Sequence, residues 1–157
     1  MTDADIIERL KGELGEKALE ITNPSVRRIF IKIPSSQLIP AVTALRDRFG
    51  FKYLATISGL DKGETFELIY HFGGEGINLN LRTEIPRNDP HIESVTPVIP
   101  GAILYERELQ DMFGIVVDHI PDHRPLLMPD DWPAGNYPLR KDWKFERPEE
   151  IIPGGKK

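Results

Sequence analysis

Thr65-Phe66-Glu67-Leu68-Ile69-Tyr70-His71-Phe72, then Gly73-Gly74-Glu75-Gly76, then Ile77-Asn78-Leu79-Asn80-Leu81-Arg82-Thr83-Glu84-Ile85 is the stretch that decides the fold. Both runs are rich in β-branched and aromatic residues, and a glycine-rich turn of four residues separates them. Ile77, Leu79 and Leu81 alternate with Asn78, Asn80 and Arg82, so one face of the sheet is covered and the other is wet. A third run, Tyr53 to Ser58, precedes them across Asp61-Lys62-Gly63-Glu64. Turns this short predict antiparallel hairpins and exclude parallel crossovers between these three runs.

Upstream, Ser35 or Ser36 can cap a helix in which Leu38, Val42, Leu45 and Phe49 form one stripe and Gly50 supplies the stop. Before it, Ile29, Ile31 and Ile33 alternate with Arg28, Phe30 and Lys32, which predicts a strand from Val26 to Ile33 closed by Pro34. Ile6, Ile7, Leu10 and Leu14, followed by Gly15, read as a first helix from about Asp3 to Leu14. Downstream, Pro86, Pro90, Pro97 and Pro100 punctuate a segment with a short helical or extended piece at His91 to Val95. The expected architecture is α+β, a mainly antiparallel sheet covered by helices, over residues 1–117, with an extended proline-rich tail over 118–157.

Composition narrows the function. At 157 residues with 39% hydrophobic content the chain suits one domain with a real core. A net charge of -5 and no basic stripe argue against nucleic acid. No apolar run approaches the roughly 20 residues of a membrane span, and the acidic start is no signal peptide, so a cytosolic location is expected. Zero cysteines exclude disulfides, a thiol nucleophile and thiolate ligands for iron–sulfur clusters.

Pro100-Gly101 launches a third helix, from about Ala102 to Phe113, ended by Gly114. Ala102, Tyr105, Leu109, Met112 and Phe113 make its core stripe; Leu104, Arg107, Glu108 and Asp111 make the opposite face. From spacing alone, Glu106 to Asp111 is the polar side of a surface helix. Glu106 and Glu108 point roughly 160° apart on a helix and cannot share a proton or a metal. His119 and His123 are four apart, but Pro121 breaks the helix that would make them converge on a metal. Gly73 to Gly76 lacks the following helix a phosphate loop needs, and no nucleophile elbow occurs. No catalytic, cofactor or metal site is assigned.

The tail from Asp118 to Lys157 holds seven of the fourteen prolines and both tryptophans. Its prolines are too closely spaced for a helix, yet Leu126, Leu127, Met128, Trp132, Tyr137, Leu139, Trp143 and Phe145 are too apolar for a solvated linker. Composition leaves two coverings equal, the chain's own sheet or a neighbour's surface, since rigid aromatics and arginine are typical interface anchors.

Glu106-Arg107-Glu108 through Asp111-Met112-Phe113-Gly114, then Pro121-Asp122-His123-Arg124, then Tyr137-Pro138-Leu139-Arg140-Lys141-Asp142 resembles the C subunit of respiratory complex I and its hydrogenase counterparts. The resemblance is sharp over Ser94 to Trp143. It implies a cofactor-free subunit of the hydrophilic arm, which holds a large catalytic (D-type) subunit and an iron–sulfur (B-type) subunit. Those partners carry the iron–sulfur clusters and the nickel–iron site or quinone. Asp118-His119-Ile120-Pro121-Asp122-His123-Arg124 departs from the complex I pattern by replacing a glycine and shifting the histidine. Trp132-Pro133-Ala134-Gly135-Asn136-Tyr137 is similar to energy-converting membrane hydrogenases and formate hydrogenlyase-type complexes, the branch favoured, with complex I kept as the alternative.

The resemblance settles the tail as a docking clasp. Its expected interface is Leu104, Arg107, Glu108, Asp111, Arg124, Trp132, Tyr137, Leu139, Arg140, Lys141, Asp142 and Trp143, with Glu149 to Lys157 loose. Two rival classes stay open: a stand-alone soluble adaptor, or a small enzyme such as a hydrolase using Glu108 and His119, with Glu106, Asp111 or His123 as further acid–base or metal groups.

Overall fold

In this computed structural model the described residues are 2–145; the expectation for residues 149–157 lies outside them. The chain opens with α1 (Asp3–Leu14), whose Thr2 hydroxyl and Asp5 carboxylate form a reciprocal capping box. Its face of Ile6, Leu10 and Leu14 is buried. β1 (Glu20–Ser25) and β2 (Arg28–Lys32) form an antiparallel hairpin, and α2 (Leu38–Phe49) follows with Leu38, Ala41, Val42 and Leu45 buried. β3 (Tyr53–Asp61), β4 (Thr65–Gly74) and β5 (Ile77–Pro86) are the antiparallel meander that the opening stretch predicts. β6 (His91–Glu93) pairs in parallel with β7 (Val116–Asp118), and α3 (Ile103–Phe113) lies between them in sequence.

The five-stranded sheet runs β1-β2-β5-β4-β3. One face gathers Ile29 and Ile31, Leu79 and Leu81, Phe66, Leu68, Tyr70 and Phe72, all buried, and the helices, with β3 and the segments around Ile92 to Ile99 and Ile115 to Ile120, supply the rest of the core. The other face carries Lys32, Glu67, Arg82 and Glu84. Burying a leucine or isoleucine is worth about 1.5–3 kcal/mol, so this single two-layer core carries most of the stability.

Two features depart from the sequence reading. β1 was not expected: Glu20-Ile21-Thr22-Asn23-Pro24-Ser25 has little apolar periodicity and an internal proline. It is an edge strand, and its register shifts between Thr22 and Ser25, around Pro24, where a ladder hydrogen bond is dispensable. The pairing of β2 with β5 is parallel, with Ile29 opposite Leu79 and Ile31 opposite Leu81. Turn lengths govern only neighbouring strands; β2 reaches β5 through α2 and two further strands, and the match of apolar faces sets that contact. The segment at His91 proves extended, as β6.

α3 sits against the covered face at β3. A side chain on Gly59 would meet Phe113 Cε2 at 2.6 Å and Leu109 Cδ2 at 3.0 Å, so glycine here permits the close approach of helix to sheet. Phe113 meets Phe66 edge to face, with centroids 5.8 Å apart. The core continues past residue 117, through Val117 to the buried Ile120.

Candidate functional site

α3 is where body and tail meet, and its residues divide into three roles. Leu109 and Phe113 enter the core as the stripe requires. Glu106 joins them, 1% exposed, although the spacing placed it on the polar side. Its carboxylate accepts from the Ser94 hydroxyl at 2.7 Å and the Val95 amide at 2.6 Å, pinning the segment that leads into the helix. Burial pushes its pKa above the usual carboxylate range, outweighing those two bonds.

The outer face of α3 holds the tail. Arg107 and Asp111, four apart, do not pair with each other. Arg107 Nε donates to the Arg124 carbonyl at 2.8 Å and Nη2 to the Pro125 carbonyl at 2.9 Å. Asp111 Oδ2 accepts from the amides of Leu126, Leu127 and Met128 at 2.8, 2.7 and 3.3 Å. One helical turn therefore clamps five consecutive tail residues by their backbone, using a cation for carbonyls and an anion for amides. Asp122 sits beside the clamp, bonded to Arg124 and 3.5 Å from Arg107, and the Arg124 guanidinium holds its carboxyl well below the usual range.

A second tether lies at the C-terminus of α3, where the last carbonyls of any helix lack intrahelical partners. Leu139 N–H donates to the Met112 carbonyl at 3.1 Å and Arg140 Nε to the Phe113 carbonyl at 2.6 Å. The guanidinium is favoured there by the helix dipole and lies over the rings of Tyr137 and Phe66, 4.5 and 5.2 Å from their centroids. Gly114 takes the left-handed conformation, φ 68°, and the Tyr137 ring rests where a Cβ would stand, 2.4 Å away. Backbone shape and ring contact both require glycine here.

The third tether reaches the turn between β3 and β4. The buried Asp61 carboxylate accepts from the amides of Gly63 at 2.9 Å and Lys141 at 2.8 Å and from Arg87 at 2.5 Å; Arg87 donates its other arm to Asp142 at 2.6 Å. Burial raises the Asp61 pKa, but the Arg87 bond, the two amides and the Arg87 charge outweigh it, and the value falls to about 2. Asp61 and Arg87 were not singled out from the sequence, and Glu106 was read as polar surface where the structure buries it. Their only signal is a charged residue at a turn or in a helix, which ordinary surface residues share.

The expected interface residues thus face two ways. Arg107, Asp111, Tyr137, Arg140 and Asp142 hold the tail on its own body, as do the main chains of Leu139 and Lys141, while Arg124 closes on Asp122. Trp132 donates Nε1–H to the Asn136 carbonyl and stacks near Trp143, centroids 6.5 Å apart, which in turn meets Phe145. Beside the exposed charged side chains of Arg124, Lys141 and Asp142, four large apolar ones stay out: Leu104 is 50% exposed, Leu127 55%, Leu139 54% and Phe145 67%. Glu108 is half-buried. His119 bonds Glu93 at 2.9 Å, which raises its pKa; among the described residues no group of three or more His, Cys, Asp or Glu side chains is placed to hold a metal. No helix among those residues is long and apolar enough to cross a membrane.

Residues 31–149 match the family described as respiratory-chain NADH dehydrogenase, 30 Kd subunit. The C subunit of the NADH-quinone oxidoreductase of Nocardioides sp. (strain ATCC BAA-499 / JS614) is 36% identical over 151 residues, covering 88% of this chain and 60% of that one. The C subunit of the F(420)H(2) dehydrogenase of Methanosarcina mazei is 34% identical over 143 residues, 88% of this chain and 90% of that one. Formate hydrogenlyase subunit 5 of Escherichia coli (strain K12) is 48% identical over 64 residues, 41% of this chain and 11% of that one. The chain therefore spans nearly all of one relative's length and less than two thirds of each of the other two.

Proposed function

This chain belongs to the respiratory-chain NADH dehydrogenase 30 Kd subunit family, and from that premise we propose that it is a structural and assembly subunit in the hydrophilic arm of a membrane-bound, ion-translocating redox complex. α3 and the tail dock onto a large catalytic subunit and an iron–sulfur subunit. The electron carriers, iron–sulfur clusters with a nickel–iron site or quinone, belong to those partners, and this chain meets the membrane only through them, on the cytoplasmic side. Its contribution is geometric, because a preorganised support keeps neighbouring redox centres in register.

The observation that carries this reading is the set of exposed apolar side chains on a tail tethered to the body at three places. Leu127 and Leu139 are held out to solvent by segments whose backbone polar groups are already bonded to α3, next to the exposed Leu104 of α3 itself, and Phe145 follows the third tether at residues 141 and 142. Such a surface is ready for a partner and meets little further ordering cost.

The energy-converting hydrogenase type is the first reading, supported by the 64 residues 48% identical to a formate hydrogenlyase subunit and by the residues from Trp132 to Tyr137. The same role in an NADH:quinone oxidoreductase is the second, supported by the longer match to the C subunit of an NADH-quinone oxidoreductase. Native purification from membranes, with subunits identified by mass spectrometry, tests both. The full chain is expected to co-purify with cluster-bearing and membrane-embedded subunits, and a chain lacking residues 130–157 is not. Normal recovery of the truncated chain in the complex would refute the assignment of the tail.

A further inference from the structure

The face of the sheet that the helices leave open carries a second surface, separate from α3 and the tail. Tyr53, Gly73, Asn78 and Arg28 form one row across β3, β4, β5 and β2, and Thr56, His71, Asn80 and Phe30 form the next. Four adjacent strands make a row about 14 Å wide. A groove of about 350 Å³ lies along these rows, lined by Phe30, Tyr53, Ala55, Gly73, His71 and Arg28. Tyr53 is 67% exposed, large for an aromatic on a strand.

The groove's polar groups suit binding and not chemistry. His71 spends both ring nitrogens within the chain, on the Ser58 hydroxyl at 2.9 Å and the Asn80 side-chain oxygen at 2.7 Å, and Asn80 donates to the Ile29 carbonyl. That network stiffens the floor and leaves no free imidazole nitrogen. Arg28 is different: among the described residues its guanidinium has no carboxylate within ion-pair distance. Two carboxylates of this face are already engaged, since Glu84 takes Lys32 and Lys62 and Glu67 takes Arg82. With Glu20, this face sets four cations (Arg28, Lys32, Lys62, Arg82) against three carboxylates in a chain whose net charge is -5.

We propose that this groove receives an extended acidic segment of a partner subunit, which lays an apolar side chain between Phe30 and Tyr53 and sets a carboxylate on Arg28. The inference rests on the reading of the chain as a subunit and names a second contact for it. A segment fits better than a small molecule because the groove lies on the sheet face opposite the core: a partner laid over the sheet closes it, whereas a small ligand would keep one side in water. A second copy of this acidic chain fits worse than a partner chosen for an acidic strip. Aromatic walls with an arginine at one end are also the residue types that carry most of the energy at interfaces.

The test compares full-length tagged chains carrying Arg28→Glu, Arg28→Lys or Tyr53→Ala in the native complex, with a chain lacking residues 130–157 beside them. Circular dichroism confirms that each variant folds. Recovery of partner subunits is measured through washes of rising salt. Arg28→Glu and Tyr53→Ala are each expected to lower apparent affinity about tenfold or more, and Arg28→Lys much less. If both variants hold their partners as the unaltered chain does while the truncated chain loses them, the groove inference fails and the subunit reading stands. If no variant and no truncation changes recovery, both fail. Sedimentation of the isolated chain covers the rival occupant: a dimer abolished by Tyr53→Ala would overturn the assignment to a partner.

Discussion

Residues up to Ile120 and residues 121–145 are held by different physics. The body closes on a layer of isoleucine, leucine and phenylalanine with essentially no exposure. In the tail no described residue between 121 and 145 is fully buried, yet its course is set by hydrogen bonds from charged side chains of the body to its peptide groups. Burial is non-directional and additive over area, so it produces a cooperative block. Tethers are local and directional, so each can open without melting the body. A docking segment benefits from the second arrangement, because it keeps its apolar side chains outward while its backbone stays paired.

That contrast is open to attack in order of expected effect. Phe113→Ala strikes the body at the helix–sheet contact and should cost about 3–5 kcal/mol, read as a cooperative fall in thermal midpoint on the order of 10 °C. A smaller, local effect would place Phe113 with the tail. Asp111→Ala leaves three tail amides without their acceptor, and about 2–3 kcal/mol of tail closure should vanish. Hydrogen exchange should show amides 126–128 unprotected while the thermal midpoint stays within a few degrees. If the whole molecule loosens, tail and body are one cooperative unit.

Glu106 sharpens the boundary from inside. Glu106→Gln keeps an acceptor for Val95 N–H and a partner for Ser94 while removing a carboxyl whose charged form burial disfavours, so chemical denaturation at neutral pH should find it equal to or more stable than the parent. Glu106→Ala should lose about 1–3 kcal/mol by leaving both groups unmet. Because its folded pKa is raised, the ionised form costs stability as pH climbs through that value, and the difference between parent and Glu106→Gln should shrink in acid.

The smallest effect belongs to the third tether. Asp61 has a folded pKa of about 2, below its ordinary 3.8, so its stabilisation is complete above about pH 4 and is lost as pH falls through 2. Protection of the Lys141 amide should follow that window, and in Asp61→Asn it should be weaker at neutral pH and flat across it. Protection lost well above pH 4 would show that another group holds residue 141.

The sequence was most legible where one periodic face met one core. α1, α2 and α3 and the three central strands follow from spacing, glycine stops and short turns, and their ends agree closely with Leu14, Gly50 and Gly114. β1 and the parallel β2–β5 pairing were not legible, since an edge strand needs no apolar pattern and a non-local pairing leaves no turn to read. At the candidate site the residues were legible but their partners were not. Arg107 and Asp111 were picked out with Tyr137, Arg140 and Asp142, whereas Asp61 and Arg87, which receive the tail, were missed. A side chain that bonds a backbone group can serve any residue type there, so the tail's own letters do not reveal the match.

By itself, then, the sequence determined the helices, the alternation of a covered and a wet sheet face, and a tail too apolar for solvent and too rich in proline to fold alone. Those follow from local propensity and periodicity, which act over a few residues. Only the tertiary structure decided that the tail lies against its own third helix, that Glu106 turns inward, and that Leu127, Leu139 and Phe145 stay exposed. Such outcomes depend on donors and acceptors brought together from as far as 80 positions apart, as Asp61 and Lys141 are, and no local pattern encodes that distance.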